Sequence, residues 1–442
     1  MTIQMDKGAA ELLDTLHRAG YAAYVVGGCV RDSLLGLTPH DWDLCTSALP
    51  QQGMELFGEE KCIPTGLQHG TVTVKQGGGL YEITTFRTEG AYTDGRHPDE
   101  VHFVPDVRED LARRDFTINA MAYNAKEGLI DPFGGQADLQ SGILRAVGVP
   151  HQRFTEDALR ILRLYRFAAR FGFAIDPPTA QAAQELCAHL DCVSVERIEE
   201  ELAKLLSAPA PAAYLDEKIL SVVLPELSPE ALAAAKPVVD ACPAGEQALP
   251  VRLAALLLSL GEDGTRRTLR RLRCSNACIE ETAVLVREVV SGVPGAFSSD
   301  TNRAIPSPAL LPAATGSHPS GRSSEKLPAR PPVSLNIYAR RLLGKYNLCT
   351  VQRLAALGTA LQPEHAADFV ALSELAERLD ADGVCCRVSQ LAVNGRDLMA
   401  AGVPAGPGIR KVLEALLDGV IREEYPNERQ ALLAAVQQLA AS

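Results

Sequence analysis

Two adjacent glycines, followed closely by two aspartates, restrict this chain to few architectures. The segment GGCVRDSLLGLTPHDWD begins at Gly27 and ends at Asp43. The apolar run YAAYVV before it predicts a buried strand that enters a glycine turn, and VRDSLLG predicts a short helix that leaves it. Backbone N–H groups at such a turn bind anions, so we predict that Gly27, Gly28 and Arg31 hold a triphosphate.

The two aspartates, Asp41 and Asp43, lie in DWDLC, which predicts a strand. Side chains at positions i and i+2 of a strand point to the same face. Magnesium is commonly held by one or two carboxylates together with substrate phosphates, so we predict that Asp41 and Asp43 are catalytic and bind Mg²⁺. Either fragment alone is more typical of a plain turn or a solvated strand edge, but their order in one segment favours nucleotidyl transfer.

Size and composition exclude several classes of protein. A chain of 442 residues has room for two to four structural units without disulfides. Its eleven cysteines form no CxxC motif, and their odd number fits a reducing cytoplasm. No signal peptide or membrane span is indicated, so we expect a cytoplasmic protein with no membrane partner.

The formal net charge of −12 argues against non-specific coating of nucleic acid. An RNA ligand would therefore be bound by local basic patches, such as RRTLRRLR from Arg266 to Arg273. Such a cluster is equally typical of a solvated helix face.

Further along, the chain resembles the class II nucleotidyltransferases, which include bacterial tRNA CCA-adding enzymes and poly(A) polymerases. The first family motif has the form GGxxRD followed by DxD. Three more segments are similar to later motifs, in family order: RRDFTINAMAYN, DPFGGQADLQSGILRAVG and EDALRILRLYRFAARFGF. The resemblance covers about residues 20 to 205 and returns near the C-terminus.

This resemblance adds one candidate residue at the metal site and two in a loop. It implies that Glu82, in the strand-like run LYEITTFR, completes the metal site, although a lone strand glutamate is equally typical of a solvated surface. It also implies that RTEGAYTDGRHPDEV is a flexible loop, in which Asp94 and Arg96 serve the switch from CTP to ATP. A plain surface hairpin is the alternative for this loop.

The segment RRDFTINAMAYN predicts the start of an apolar helix. An arginine and a carboxylate at such a place can meet ribose hydroxyls or phosphate. The resemblance implies that Arg114 and Asp115 hold the nucleotide sugar and that Asn119 shares this task.

In EDALRILRLYRF an acidic residue and three arginines recur every three residues and form a slanting stripe on the predicted helix. A carboxylate accepts from the exocyclic amine of cytosine or adenine, and an arginine donates to ring acceptors. The resemblance implies that Asp157 and Arg160 select the base, with Arg163 and Arg166 nearer the phosphates. A salt-bridged surface helix is the alternative.

We predict an α+β fold. Short β-rich runs alternate with helices from about residue 20 to 145, which indicates an α/β head with a mixed β-sheet, and the later pattern is helical. The Pro-, Ser- and Gly-rich residues 294–332 are predicted to be a disordered insertion. The predicted units are a catalytic head (1–150), a neck for base recognition (151–210), a body (211–293 and 333–375) and a tail (376–442), for which the resemblance implies tRNA binding.

The resemblance implies an enzyme that adds C, C and A to the 3′ end of tRNA from CTP and ATP and releases pyrophosphate. A poly(A) polymerase, or an enzyme that adds only CC or only A, is the nearest alternative. A catalytically silent RNA-binding protein would lack one of the paired aspartates, and both are present. No P-loop, GxSxG or HExxH motif supports another chemistry, and the oligomeric state stays open.

Overall fold

The computed structural model describes residues 2–90, 101–290 and 334–440. The strands in these ranges are β1 Ala23–Val26, β2 Leu44–Thr46, β3 Cys62–Gly66, β4 Thr71–Gln76, β5 Gly79–Thr85, β6 Arg87–Glu89, β7 Val101–Phe103, β8 Ala122–Asn124, β9 Gly128–Ile130, β10 Ile143–Leu144 and β11 Ala174–Ile175. Seven of them form one sheet in the order β3-β4-β5-β2-β1-β8-β9. Strands β2 and β5 are parallel and the other pairs in this sheet are antiparallel, so the predicted mixed sheet is confirmed.

The chain divides into two compact units, 1–226 and 227–442. The first unit contains the sheet and these helices: α1 Lys7–Arg18, α2 Gly28–Leu34, α3 Pro50–Phe57, α4 Val107–Ala112, α5 Gly135–Ser141, α6 Pro150–Glu156, α7 Leu159–Phe171, α8 Pro177–Glu185, α9 Val195–Leu206 and α10 Glu217–Val223. The predicted neck helices therefore belong to the same unit as the sheet.

The second unit is helical throughout its described residues. Its helices are α11 Pro229–Ala241, α12 Leu249–Leu257, α13 Gly261–Arg271, α14 Asn276–Val290, α15 Leu335–Lys345, α16 Leu348–Leu361, α17 Ala366–Ala381, α18 Gly395–Ala400, α19 Pro407–Ile421 and α20 Arg429–Ala440. The last three helices share a small core that includes Leu398, Leu416 and Leu432. The α+β fold class is confirmed.

The register of the central strands brings the predicted catalytic segments together. All four residues of β1 are buried, as expected for the apolar run that forms it. Val25 of β1 pairs with Leu44 of β2, and Leu44 pairs with Ile83 of β5. The turn after β1, the residues before β2 and the middle of β5 therefore lie side by side.

Helices α7 and α9 pack against each other beside the sheet, and both follow from their sequences. In α9 the buried residues Ile198, Leu202, Leu205 and Leu206 recur at helical spacing. Helix α7 ends at Gly172, whose φ of 67° is left-handed and suits glycine. Within the described ranges, no helix has both the length and the apolar character that a membrane crossing requires.

Candidate active site

The glycine turn adopts a conformation that requires glycine. Gly27 has φ 76° and ψ −122° and connects β1 to α2. Its N–H donates to the carbonyl oxygen of Met121 over 3.0 Å, which fixes the turn against the chain entering β8. A Cβ atom on Gly27 would lie 2.9 Å from Nη1 of Arg114, so the guanidinium of Arg114 lies directly against the turn.

The two aspartates precede the strand and do not form part of it. The prediction that DWDLC is a strand is wrong in this respect, because β2 begins at Leu44. The carbonyl oxygen of Asp43 still accepts from the N–H of Val26 over 2.9 Å, and this bond extends the pairing by one residue. Glu82 lies on the adjacent strand β5, as predicted, one residue before the partner of Leu44.

The side chains of Asp41, Asp43 and Glu82 are exposed. Among the residues that the structure describes, none of the three carboxylates has a hydrogen bond or ion pair. The surrounding protein removes part of the hydration of Asp43, and this desolvation raises the pKa of its carboxyl group. The negative charge of Glu82 raises this pKa further, Arg114 lowers it, and Asp41 makes a smaller upward contribution.

Within the described ranges, no group of three or more His, Cys, Asp or Glu side chains is arranged to hold a metal ion. The role of Glu82 beside Asp41 and Asp43 stays a prediction. Asp41 and Asp43 nevertheless suit a divalent cation, because they offer oxygen atoms without competing protein partners and repel each other's charge. Substrate phosphates would have to supply further ligands.

Arg31 lies beneath the turn and contacts other protein groups. Only 4% of its surface is exposed. Its Nε donates to Oδ1 of Asp32 over 2.8 Å, and its Nη1 donates to Oδ1 of Asn119 over 2.6 Å. Desolvation lowers the pKa of its guanidinium, although the charge of Asp32 opposes this effect.

Asp115 and Asn119 are buried beside this arginine. The predicted helix in RRDFTINAMAYN is wrong: the segment forms a short 3-10 turn, Thr117–Asn119, and then strand β8. Nδ2 of Asn119 donates to Oδ1 of Asp115 over 3.1 Å. Burial alone would raise the pKa of Asp115, but Arg163 and Asn119 hold it at about 2. Asp115 is therefore ionised at neutral pH.

The arginines of α7 are joined to the head and to α9 by ion pairs. Nε and Nη2 of Arg163 donate to Oδ2 of Asp115 over 2.9 and 2.7 Å. Nε of Arg166 lies 2.5 Å from Oε2 of Glu201, and Nη1 of Arg163 lies 3.8 Å from Oε1 of the same residue. Arg163 is a third exposed at its side chain, so it is the more accessible of the two arginines.

Asp157 is partly exposed and Arg160 is buried, and the two side chains have different partners. The predicted continuous stripe is wrong, because α7 begins at Leu159 and Asp157 lies before it in an extended conformation. Oδ2 of Asp157 accepts from Nη2 of Arg197 over 2.8 Å. Nη1 of Arg160 donates to Glu156 over 2.7 Å, and its Nη2 donates to the carbonyl oxygen of Arg113 over 3.1 Å. Each side chain is thereby fixed in place.

Three charged residues that sequence reasoning missed support these groups. Asp110 is fully buried and pairs with Arg113 and Arg114 over 2.9 and 3.3 Å. Its spacing of three and four residues from the two arginines was a usable helical signal. Glu201 and Arg197 have no such local signal, because their partners lie on other elements.

Two predicted residues, Asp94 and Arg96 of the flexible loop, lie outside the described residues. All eleven cysteines are free thiols in the structure.

Three protein-family models match this chain. The Poly A polymerase head domain matches residues 23–145. A tRNA nucleotidyltransferase domain 2 model matches residues 335–436, and a model described as a probable RNA- and SrmB-binding site of polymerase A matches residues 172–230.

Curated proteins and solved structures resemble the chain over nearly its whole length. The chain is 36% identical to a CCA-adding enzyme of Lactobacillus delbrueckii subsp. bulgaricus over 431 residues, which is 96% of each protein. A CCA-adding enzyme of Lactiplantibacillus plantarum is 50% identical over 209 residues, 47% of this chain and 51% of that protein. The crystal structure of the Bacillus stearothermophilus CCA-adding enzyme in complex with CTP superposes with a TM-score of 0.77 at 30% identity, covering 99% of this chain and 98% of that one.

Proposed function

This chain belongs to the CCA-adding enzymes, a family of tRNA nucleotidyltransferases, and we infer that it adds C, C and A to the 3′ end of tRNA from CTP and ATP and releases pyrophosphate. The observation that carries this inference is that Gly27, just after β1, and Asp43, just before β2, lie beside Glu82 on β5. This register sets an anion-binding turn beside a pair of unpartnered carboxylates.

The family implies a divalent metal, and we propose that it is Mg²⁺ held by Asp41 and Asp43. When bound, such a cation lowers the pKa of the attacking hydroxyl and stabilises the charge on the leaving pyrophosphate. Gly28 offers its backbone N–H group to the triphosphate, whereas the N–H of Gly27 is engaged with Met121 and holds the turn in shape. Arg114, which lies against this turn, supplies the nearest guanidinium to it.

We propose that the nucleotide is held on its other side by the neck. Asp115 remains a carboxylate and can accept from a ribose hydroxyl, and Arg163 orients it. Asp157 and Arg160 are fixed by Arg197 and Glu156. Because each keeps further lone pairs or N–H groups, the carboxylate can accept from the amine of cytosine or adenine while the arginine donates to the ring. Rigid side chains of this kind select a base without a template.

The decisive experiment supplies a tRNA transcript that lacks its 3′ CCA with CTP alone, with ATP alone, and with both. Full CCA addition predicts two added nucleotides with CTP alone, none with ATP alone and three with both. The products are read as single-nucleotide steps on a gel. The Asp41→Ala and Asp43→Ala variants, checked for folding by circular dichroism, should add none, because each removes a metal ligand. Addition of A without prior addition of C would support a poly(A) polymerase or an A-adding enzyme instead.

Two further proposals concern the cellular compartment of the protein and the role of its helical tail. We propose that the protein works in the cytoplasm, as its free thiols suggest. We also propose that the helical tail, which falls within the matched residues 335–436, contacts the tRNA.

A further inference from the structure

The guanidinium of Arg31 packs against the inner side of the glycine turn. A Cβ atom on Gly28 would lie 3.7 Å from Nη2 of Arg31. Both Nε and Nη2 lie within 2.8 Å of Oδ1 of Asp32, and Nη1 is bonded to Asn119. These contacts, together with its burial, leave almost no surface of Arg31 for a phosphate to touch.

Two aromatic rings of the neck helix α7 enclose the same guanidinium. Its central carbon lies 5.2 Å from the ring centre of Phe167 and 4.9 Å from that of Phe171. Cation–π contacts of this kind are stronger where water is excluded. Arg170, also on α7, donates to Oδ2 of Asp32 over 3.4 Å. The Arg31–Asp32 pair therefore joins the helix after the glycine turn to the neck.

Asn119 extends this connection to the carboxylate proposed to bind the sugar. Its Oδ1 accepts from Arg31 and its Nδ2 donates to Asp115, whose second oxygen accepts from Arg163 on α7. An amide group that is engaged at both ends cannot turn over without losing its bonds. Arg31 thus fixes Asn119, and through it Asp115.

We propose that Arg31 is a positioning residue for nucleotidyl transfer. It holds the glycine turn, the sugar-binding carboxylate and the neck helix in one arrangement, and it does not bind the triphosphate itself. This proposal rests on the proposed function, because the arrangement matters only if a nucleotide reacts there. A shift of about 1 Å in a reacting group can lower the rate by about 100-fold.

The test compares Arg31→Lys, Asn119→Ala and the double variant with Arg170→Met as the matched control. Arg170 also contacts Asp32 and Phe171, but its side chain is 40% exposed. Trp42, the single tryptophan of the chain, lies between Asp41 and Asp43, and its fluorescence is the probe for binding of CTP and CMP. The other measurements are kcat for addition of C to tRNA and the melting temperature.

We expect kcat to fall by about 10- to 100-fold in Arg31→Lys and Asn119→Ala. The Kd for CTP should change by less than about threefold, and the double variant should be no slower than the worse single variant, since both act through one connection. Arg170→Met should lower kcat by less than about threefold, because it removes one 3.4 Å bond at the exposed edge of the connection and leaves the bonds among Arg31, Asn119 and Asp115 intact.

Two results would overturn the proposal. A large loss of CTP affinity in Arg31→Lys without a matching loss for CMP would make Arg31 a triphosphate ligand. A lower melting temperature with unchanged kcat would leave it only a structural role. If Arg31→Lys does not fold, Asn119→Ala breaks the same connection and keeps the buried arginine, and a loss of kcat with unchanged affinity for CTP and CMP supports the proposal, whereas an unchanged kcat overturns it. If the unaltered protein adds no nucleotide to tRNA, the proposed function fails, while CTP binding to Arg31→Lys still tests whether Arg31 holds the triphosphate.

Discussion

Asp43 lies in an environment that opposes its ionisation. Desolvation and the charge of Glu82 both raise the pKa of its carboxyl group above the ordinary value of 3.8, and only Arg114 acts in the other direction. A raised carboxyl pKa favours the folded protein below the ordinary value and costs stability once the group ionises above it. A bound divalent cation would remove this cost, so the electrostatics around Asp43 favour cation binding.

We predict that Glu82→Gln lowers the pKa of Asp43, because it removes the largest charge that raises it. The midpoint of a metal-free pH titration, followed by Trp42 fluorescence, should move to lower pH. Asp41→Asn should move it in the same direction by less, because the effect of Asp41 is smaller. The Asp43→Asn variant identifies the titrating group by losing the transition. An unchanged midpoint in Glu82→Gln would show that Glu82 does not act on Asp43.

Sequence patterns predict a role for the exposed candidate residues more readily than for the buried ones. Asp41, Asp43 and Glu82 are exposed, and their chemistry can be read from residue type and spacing. Arg31 has the same charge as Arg114, and no local pattern shows which of the two is buried. That difference arises because Phe167 and Phe171, some 140 residues later in the chain, cover Arg31.

At the scale of elements, the turn between β1 and α2 determines where Arg114 can lie. Gly27 and Gly36 stand at the two ends of α2, and both have a positive φ, 76° and 71°. They differ in their surroundings, since a Cβ atom on Gly36 would meet nothing within 4 Å, whereas one on Gly27 would meet Arg114. Comparing substitutions at Gly27 and Gly36 therefore separates the effect of backbone strain, which both share, from the effect of displacing Arg114, which only Gly27 has.

We predict that Gly27→Ala and Gly36→Ala each lower the free energy of unfolding by about 1 to 2 kcal/mol, the usual cost of a left-handed residue with a side chain. Arg114 meets the added methyl group with the end of a flexible side chain, so it can move away at little cost in stability. Only Gly27→Ala should therefore lose CTP affinity. The measurements are urea denaturation and Trp42 fluorescence with CTP. Equal CTP affinity in the two variants would contradict a role for Arg114 at the turn.

Two local helix predictions failed for different reasons. In RRDFTINAMAYN the sequence suits a helix, but β1 recruits Ala122 and Tyr123 as its neighbours, and this sheet pairing overrides local preference. In EDALRILRLYRF the interruption has a local cause, because Oδ1 of Asp157 accepts from the N–H of Leu159 over 3.1 Å. This bond marks the beginning of a new helix, α7. An aspartate just before an apolar run is a recognisable sequence signal for the beginning of a helix.

At the scale of the whole molecule, the predicted order of an α/β part followed by helices is confirmed. The helical pattern begins at the predicted neck (151–210), and the neck packs in the same compact unit as the sheet, which extends to residue 226. The reason is packing that no periodicity reveals. Arg163 bonds to Asp115, and Arg145 bridges Asp138 and Asp176, so head and neck share buried charges.

Because head and neck form one compact unit, we can predict how the isolated first unit behaves. Every residue proposed here to bind nucleotide lies in residues 1–226, together with the sheet and the neck helices that fix them. We predict that this fragment folds and binds CTP with a Kd within about threefold of the full chain, a difference of less than about 1 kcal/mol. It should add C to tRNA only at much higher tRNA concentration, because it lacks the segment that matches a tRNA nucleotidyltransferase domain. Trp42 fluorescence and the KM for tRNA test the two parts separately, and a folded fragment without CTP affinity would place part of the nucleotide site in the second unit.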